Sequence, residues 1–174
     1  MTLYGNNNLP IILLILMILS FSKVGYSSSE VTINDSYIKE KYKDHLTCLR
    51  AIRFYEQKYN IPKNLLHAVT LVESGRWFKE IGIFLPHPWT LNVSGKPYYF
   101  SNKKEANAFL QKSINDGIKS IDVGCGQINI NFHGHFFEKI DNLLNPVYNI
   151  AYAAYFIFMN YAKTNNWYKA VALY

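Results

Sequence analysis

Hydrophobic and polar positions change rhythm several times along this chain. From Leu9 to Phe21 the residues are almost all aliphatic. Ser27 to Asp44 is polar and mixed in charge, the pattern of a linker or loosely ordered lead-in. A helical rhythm then sets in. Leu46, Leu49, Ile52, Tyr55 and Tyr59 recur at helical spacing, which predicts a helix over 45–59. Ile61-Pro62 breaks it, because the residue before a proline is pushed out of the helical region. Leu65, Leu66, Ala68, Val69, Leu71 and Val72 leave little polar surface, so a mostly buried helix is expected to end at Glu73-Ser74. Gly75 is placed to act as its left-handed cap.

Beyond Gly75 the chain reads as irregular through Pro86-His87-Pro88-Trp89. Thr90-Leu91-Asn92-Val93 and Pro97-Tyr98-Tyr99-Phe100 flank Ser94-Gly95-Lys96, which predicts a β-hairpin. Asn102 and Glu105 form a capping-box-like start. The helix that follows is expected to reach Lys119, with Ala106, Phe109, Leu110, Ile114 and Ile118 on one face. Asn145 caps another helix with Pro146 at its first position. Apolar on most sides to about Lys163, that helix is the expected centre of the core. Asn166 is a cap for a last helix from Trp167. The chain reaches Tyr174 inside that apolar stretch with no glycine or polar tail, so the sequence is expected to end before the domain would.

Composition narrows the class. The chain has 174 residues, 49% of them hydrophobic, enough for one domain with a real core. A formal net charge of +6 points to an anionic partner or surface. The lysines are scattered, which argues against a nucleic-acid patch. The segment from Leu9 to Phe21 is shorter than the roughly 20 apolar residues of a membrane span. It fits the apolar region of a secretory signal, with an uncleaved anchor as the alternative. The division expected is 1–27 signal peptide, 28–44 linker or lead-in, and 45–174 a single domain, with no stable membrane span after signal cleavage. Cys48 and Cys125 admit one pairing. In an exported chain a disulfide is favoured, worth about 4 kcal/mol by chain entropy, against two buried thiols.

Two stretches carry candidate chemistry. Glu73 sits in the last turn of an apolar helix, where helix carbonyls and apolar neighbours favour its neutral form. A neutral carboxylic acid near pH 7 is what general-acid catalysis needs. A solvated glutamate at a helix end is the other reading. In Ile121-Asp122-Val123-Gly124-Cys125-Gly126-Gln127-Ile128-Asn129, the two glycines would let backbone approach a ligand, and Gln127 suits sugar amides and hydroxyls. Alternatively this is a glycine turn into a buried strand, with Gln127 satisfied by backbone. Glu80 and Asp122 read as structural. His87, His133 and His135 lack the helical spacing of many zinc sites, so no metal and no cofactor is expected.

Together these pieces resemble the soluble lytic transglycosylase (SLT) domain of the lysozyme superfamily. The resemblance rests on Glu73-Ser74, then Gly124-Cys125-Gly126-Gln127-Ile128, then Asn145-Pro146-Val147-Tyr148-Asn149-Ile150, and then Ala170-Val171-Ala172-Leu173-Tyr174. Their order and spacing cover about residues 46–174. Pro88-Trp89-Thr90-Leu91-Asn92, Tyr98-Tyr99-Phe100 and Asp122-Val123-Gly124-Cys125 look like an exported subgroup. The chain departs from the pattern at Gly126, where the family usually has Met, and in lacking the Asn-x-Gly that follows the tyrosine.

The resemblance implies a mostly α, α+β lysozyme-like fold: a helical bundle around a central apolar helix with a small β-hairpin insertion. It implies non-hydrolytic cleavage of the β-1,4 bond between N-acetylmuramic acid and N-acetylglucosamine in peptidoglycan, leaving 1,6-anhydro ends. Glu73 would be the acid, with Ser74, Gln127, Asn129 and Tyr174 binding substrate. Peptidoglycan glycan strands would be the partner, with a cell-envelope secretion machine as a further one, in the periplasm. A catalytically weak or silent peptidoglycan-binding module and a hydrolytic muramidase are the competing expectations.

Overall fold

A computed structural model describes residues 35–174. The expected signal peptide at 1–27 and the first part of the lead-in lie outside the described residues. Residues 35–44, expected to be a linker, are helical: α1 spans Asp35–Lys41 and α2 spans Lys43–Lys58. Tyr42 between them anchors the lead-in. It is buried, and its hydroxyl donates to Glu80 Oε2 at 2.8 Å, while Lys41 Nζ meets the same carboxylate. This is the structural role expected for Glu80.

The remaining elements follow the sequence rhythm with two additions. Helix α3 spans Leu65–Ser74, and strands β1 (Gly75–Phe78) and β2 (Ile83–Pro86) form an antiparallel pair directly after it. The sequence pattern is irregular here because Trp77 and Phe84 are register partners on an exposed apolar face and give no alternation. Strands β3 (Thr90–Val93) and β4 (Lys96–Tyr99) make the expected hairpin. Ser94 and Gly95 turn it with φ of 52° and 84°, the primed geometry that matches strand twist. Helix α4 spans Lys103–Asn115, started by Asn102, which accepts from the Glu105 N–H at 3.0 Å. It stops short of Lys119 because Gly117 takes φ of 78°, and the N–H groups of Gly117 and Ile118 return to the carbonyls of Ile114 and Ser113.

Strand β5 (Ile121–Val123) joins β3, and β6 (Ile128–Asn129) joins β5, giving an antiparallel sheet in the order β4-β3-β5-β6. Helix α5 (Ile130–His133) and 3-10 turns at Gly134–Phe136 and Ile140–Leu144 lead to α6 (Pro146–Thr164) and α7 (Trp167–Ala172). Asn145 accepts from the Val147 N–H at 2.9 Å and caps α6 as its sequence predicts. Along α6, Ile150, Ala153, Ala154 and Ile157 are buried at helical spacing, while Tyr148 and Tyr155 on the other side are exposed. The helix is therefore central but one-faced, narrower in its apolar stripe than its composition indicates. Among the described residues no helix is long and apolar enough to cross a membrane. The architecture is a predominantly helical α+β domain.

Cys48 on α2 and Cys125 are joined as a disulfide across 77 residues. Both are fully buried. Replacing both by Ser should lower unfolding stability by about 4 kcal/mol, the loop entropy released to the unfolded chain. Urea titration of the two proteins measures it.

His45 and His87 are buried with ring centroids 5.0 Å apart, among Tyr42, Phe78 and Tyr99. Neither nitrogen of His45 has a hydrogen-bond partner. Burial pushes His45 down to about 4, and burial followed by its neighbour His45 pushes His87 down to about 3. An unfolded histidine takes its proton near pH 6.5, to within about half a unit. The neutral rings thus contribute stability that is complete above that pH and is lost as pH falls toward the folded values. The urea midpoint should drop between pH 7 and pH 4, and His45→Phe should flatten that dependence.

Candidate active site

Helix α3 is what delivers Glu73. Its N-terminal residue Asn64 offers no side-chain cap. Glu56, buried on α2, supplies one instead: its carboxylate accepts from the Asn64 N–H at 3.1 Å and the His67 N–H at 3.2 Å. Two orphan donors are satisfied and a negative group meets the positive helix end. Leu66, Val69, Thr70 and Ser74 then bury one face. The other face is open, and Val72 is 85% exposed, so the helix is half-buried rather than mostly buried. Its apolar residues on that side line a groove rather than the core.

Gly75 is not a left-handed cap. It is extended, with φ of −62° and ψ of 141°, and begins β1. Glycine is required there for space: a Cβ would stand 2.3 Å from the Leu71 carbonyl oxygen and 2.4 Å from the Phe84 ring. Ser74 is buried beneath the site. Its Oγ donates to Cys125 O at 2.7 Å, lies 3.2 Å from Thr70 O, and accepts from the His87 N–H at 3.2 Å. The residue expected to bind substrate is thus a staple between α3 and the glycine turn.

The glycine turn packs against protein, not against an open ligand space. Gly124 takes φ of 79°, and a Cβ there would lie 2.6 Å from Asn149 Nδ2. A Cβ on Gly126 would stand 3.0 Å from both Ala153 Cβ and Tyr174 Oη. Asn149, fully buried on α6, fills the turn. It accepts from the Gly126 N–H at 2.7 Å and donates to Val123 O at 2.7 Å and Leu143 O at 3.0 Å. Gln127 itself has φ of 49°, and its amide nitrogen donates to Gly124 O at 2.9 Å and Thr90 O at 3.2 Å. The backbone-satisfied reading of Gln127 holds for that nitrogen.

Around these supports opens a pocket of about 270 Å³. Glu73, Asp122, Gln127, Asn129 and Tyr174 line it with Ile128, Phe132, His133 and Phe156. Four of the five expected site residues, Glu73, Gln127, Asn129 and Tyr174, therefore meet there, and Ser74 does not. Asn129 uses both of its side-chain polar atoms: Oδ1 accepts from the Asn131 and Phe132 N–H groups, capping α5, and Nδ2 donates to Asp122 Oδ1 at 2.7 Å. The Tyr174 hydroxyl donates to Gly126 O at 2.6 Å. Burial, then Glu73, raises that phenol well above its ordinary value, so it stays neutral.

Glu73 is open to solvent on one side, yet burial of the rest of its carboxyl raises its pKa, and the Asp122 charge adds to the rise. A second, apolar groove of about 250 Å³ shares Glu73 and Tyr174 with the first and is walled by Leu65, Ala68, Val69, Val72 and Val171. The acid and the tyrosine thus stand between a polar compartment and an apolar one. His133 is spent on the pocket wall, its Nδ1 2.9 Å from the Tyr152 hydroxyl, and His87 Nδ1 lies 3.0 Å from Thr90 Oγ1. Asp122, Phe132 and Phe156 were missed as pocket residues. The one available signal was Asp122 alternating with buried Ile121 and Val123.

No protein-family model, curated protein or solved structure matches the chain.

Asn149→Ala would leave two buried carbonyls and one N–H without their partner. The expected loss is about 3 kcal/mol of stability, read as a shift in urea midpoint at unchanged slope.

Proposed function

We propose that this protein is a peptidoglycan lytic transglycosylase built on a lysozyme-like scaffold. The observation that carries the reading is Glu73: a carboxyl with a raised pKa, at a helix end, standing between two grooves that share it. The order of motifs that resembles the soluble lytic transglycosylases supports the choice of substrate. A disulfide-linked core is compatible with an exported protein, and the net charge of +6 suits the anionic stem peptides of peptidoglycan.

In this mechanism protonated Glu73 gives its proton to the glycosidic oxygen as the bond to C1 breaks. The substrate's acetamido group steadies the oxocarbenium-like centre. Glu73, now a carboxylate, takes the proton from the C6 hydroxyl as that oxygen bonds C1. The acid returns to its starting state, no water is consumed, and a 1,6-anhydro ring is left. Gln127 and Tyr174 hold the pocket wall against which the sugar seats.

A general acid must carry its proton, so the rise in Glu73 pKa keeps the protein active to higher pH than an ordinary glutamate allows. Digestion of purified peptidoglycan should release muropeptides lighter than hydrolytic products by one water, seen by mass spectrometry. Glu73→Gln should reduce release by about 100-fold or more with its fold intact. In wild type, kcat/KM should fall as pH rises through the raised Glu73 value. Reducing-end products would make the protein a muramidase instead.

A further inference from the structure

We propose that the protein carries a second sugar-binding groove, on the far side of Tyr152 from Glu73, that holds the glycan strand at a distance from the bond to be cut. The inference rests on the reading of Glu73 as the acid of a peptidoglycan-cleaving site, and it sets the length of substrate that site takes.

The groove lies between the turn after α5 and the outer side of α6. Its volume is about 330 Å³. Phe136, Tyr148, Tyr152 and Tyr155 supply its rings, and Glu138 and Asn142 its polar groups. Phe136 is 58% exposed, Tyr148 51% and Tyr155 40%. Three large rings left this open around one groove mark an interaction surface rather than a core.

The aromatic surface continues from the groove to the acid. Tyr148, Tyr152 and Phe156 stand at i, i+4 and i+8, one stripe of α6 that runs about 12 Å along the helix axis. Phe136 packs on Tyr152 with centroids 5.3 Å apart, and Tyr155 lies 6.3 Å from the same ring. On its other side Tyr152 meets His133 at 5.4 Å and Phe156 at 6.3 Å. Phe156 in turn meets Tyr174 at 5.8 Å. His133, Phe156 and Tyr174 wall the pocket that holds Glu73. Tyr152 is the partition between the two spaces. Its hydroxyl lies 2.9 Å from His133 Nδ1, which fixes the ring.

The lining chemistry selects the occupant. Among the described residues, those lining the groove include no lysine or arginine. The positive charge of the chain is therefore not directed there, and an anionic lipid or nucleic acid finds no counter-charge. A sugar ring presents C–H bonds on its faces and hydroxyls around its edge. Exposed aromatic rings suit the faces. The Asn142 amide, the Glu138 carboxylate and the tyrosine hydroxyls suit the edge. A strand lying across the Glu73 pocket and on into this groove is held at two places, so long strands are bound better than short ones.

The test removes two exposed rings together, Tyr148→Ala with Tyr155→Ala, after the urea midpoint has shown that the fold is kept. Chitohexaose, a β-1,4-linked oligomer of N-acetylglucosamine, is titrated into Glu73→Gln protein with ¹³C-labelled tyrosine rings. It should shift the Tyr148 and Tyr155 signals, and removing both rings should weaken its binding about tenfold. On cleavable substrates, the paired substitution should lower kcat/KM for long glycan strands about tenfold more than for a tetrasaccharide. Chitohexaose that leaves both tyrosine signals unmoved, or equal losses of kcat/KM on long and short substrates, overturns the proposal. A wild-type protein that shifts both signals yet releases no muropeptide overturns the transglycosylase reading and leaves the groove as a sugar site.

Discussion

Asn149 directs both amide hydrogens and its carbonyl oxygen at backbone, and the site depends on where those bonds land. They tie Val123 at the end of β5, Leu143 before α6, and Gly126 in the turn to one point on the central helix. The residues of that turn then become the meeting place of everything else. Cys125 is bridged to α2, and its carbonyl receives the Ser74 hydroxyl from α3. The Gly126 carbonyl receives Tyr174. An amide in a low-dielectric core is costly unless it is fully paired, and fully paired it selects one arrangement of the groups around it. The glycines exist so that this amide can come close. A side chain at Gly124 would collide with Asn149 itself.

Helix α3 meets an acid at each end, in opposite circumstances: Glu56 of α2 at its start and its own Glu73 at its end. The Glu56 carboxylate from α2 meets the free N–H groups at the start, where the helix dipole favours negative charge. Glu73 sits among carbonyls at the end, where the dipole opposes it, beside Asp122 and partly desolvated. The first contact stabilises the helix. The second destabilises the charged form of the acid. The same element is anchored at its start by Glu56 and tied near its end by Ser74, whose Oγ donates to Cys125 O and accepts from the His87 N–H.

What local sequence encodes was readable. The caps at Asn102, Asn145 and Asn166 and the Ser94-Gly95 turn all depend on residues within a few positions of each other. The pairings of β1 with β2 and of β5 with β3 were not. The first lacks polar alternation because its apolar face is exposed, and the second joins strands of three and four residues across a helix. Asp122 was missed for the same reason. In a strand of three residues one carboxylate looks like a surface position until its partners in the sheet are known. Gly75 was assigned to the right place for the wrong cause: conformation suggested a left-handed cap, whereas the approach of Phe84 decides it.

Gly126 is a glycine for a reason of space. In the folded chain the space above it is occupied: the Tyr174 hydroxyl is 2.6 Å from the Gly126 carbonyl oxygen, and a Cβ on Gly126 would crowd both that hydroxyl and Ala153 at 3.0 Å. A larger side chain would have to move Tyr174, which walls both grooves beside Glu73. The glycine leaves room for the tyrosine seated over the turn. The ring of Tyr174 packs against Phe156 with centroids 5.8 Å apart. The pocket wall is thus shared between the turn, through Gln127, and Tyr174.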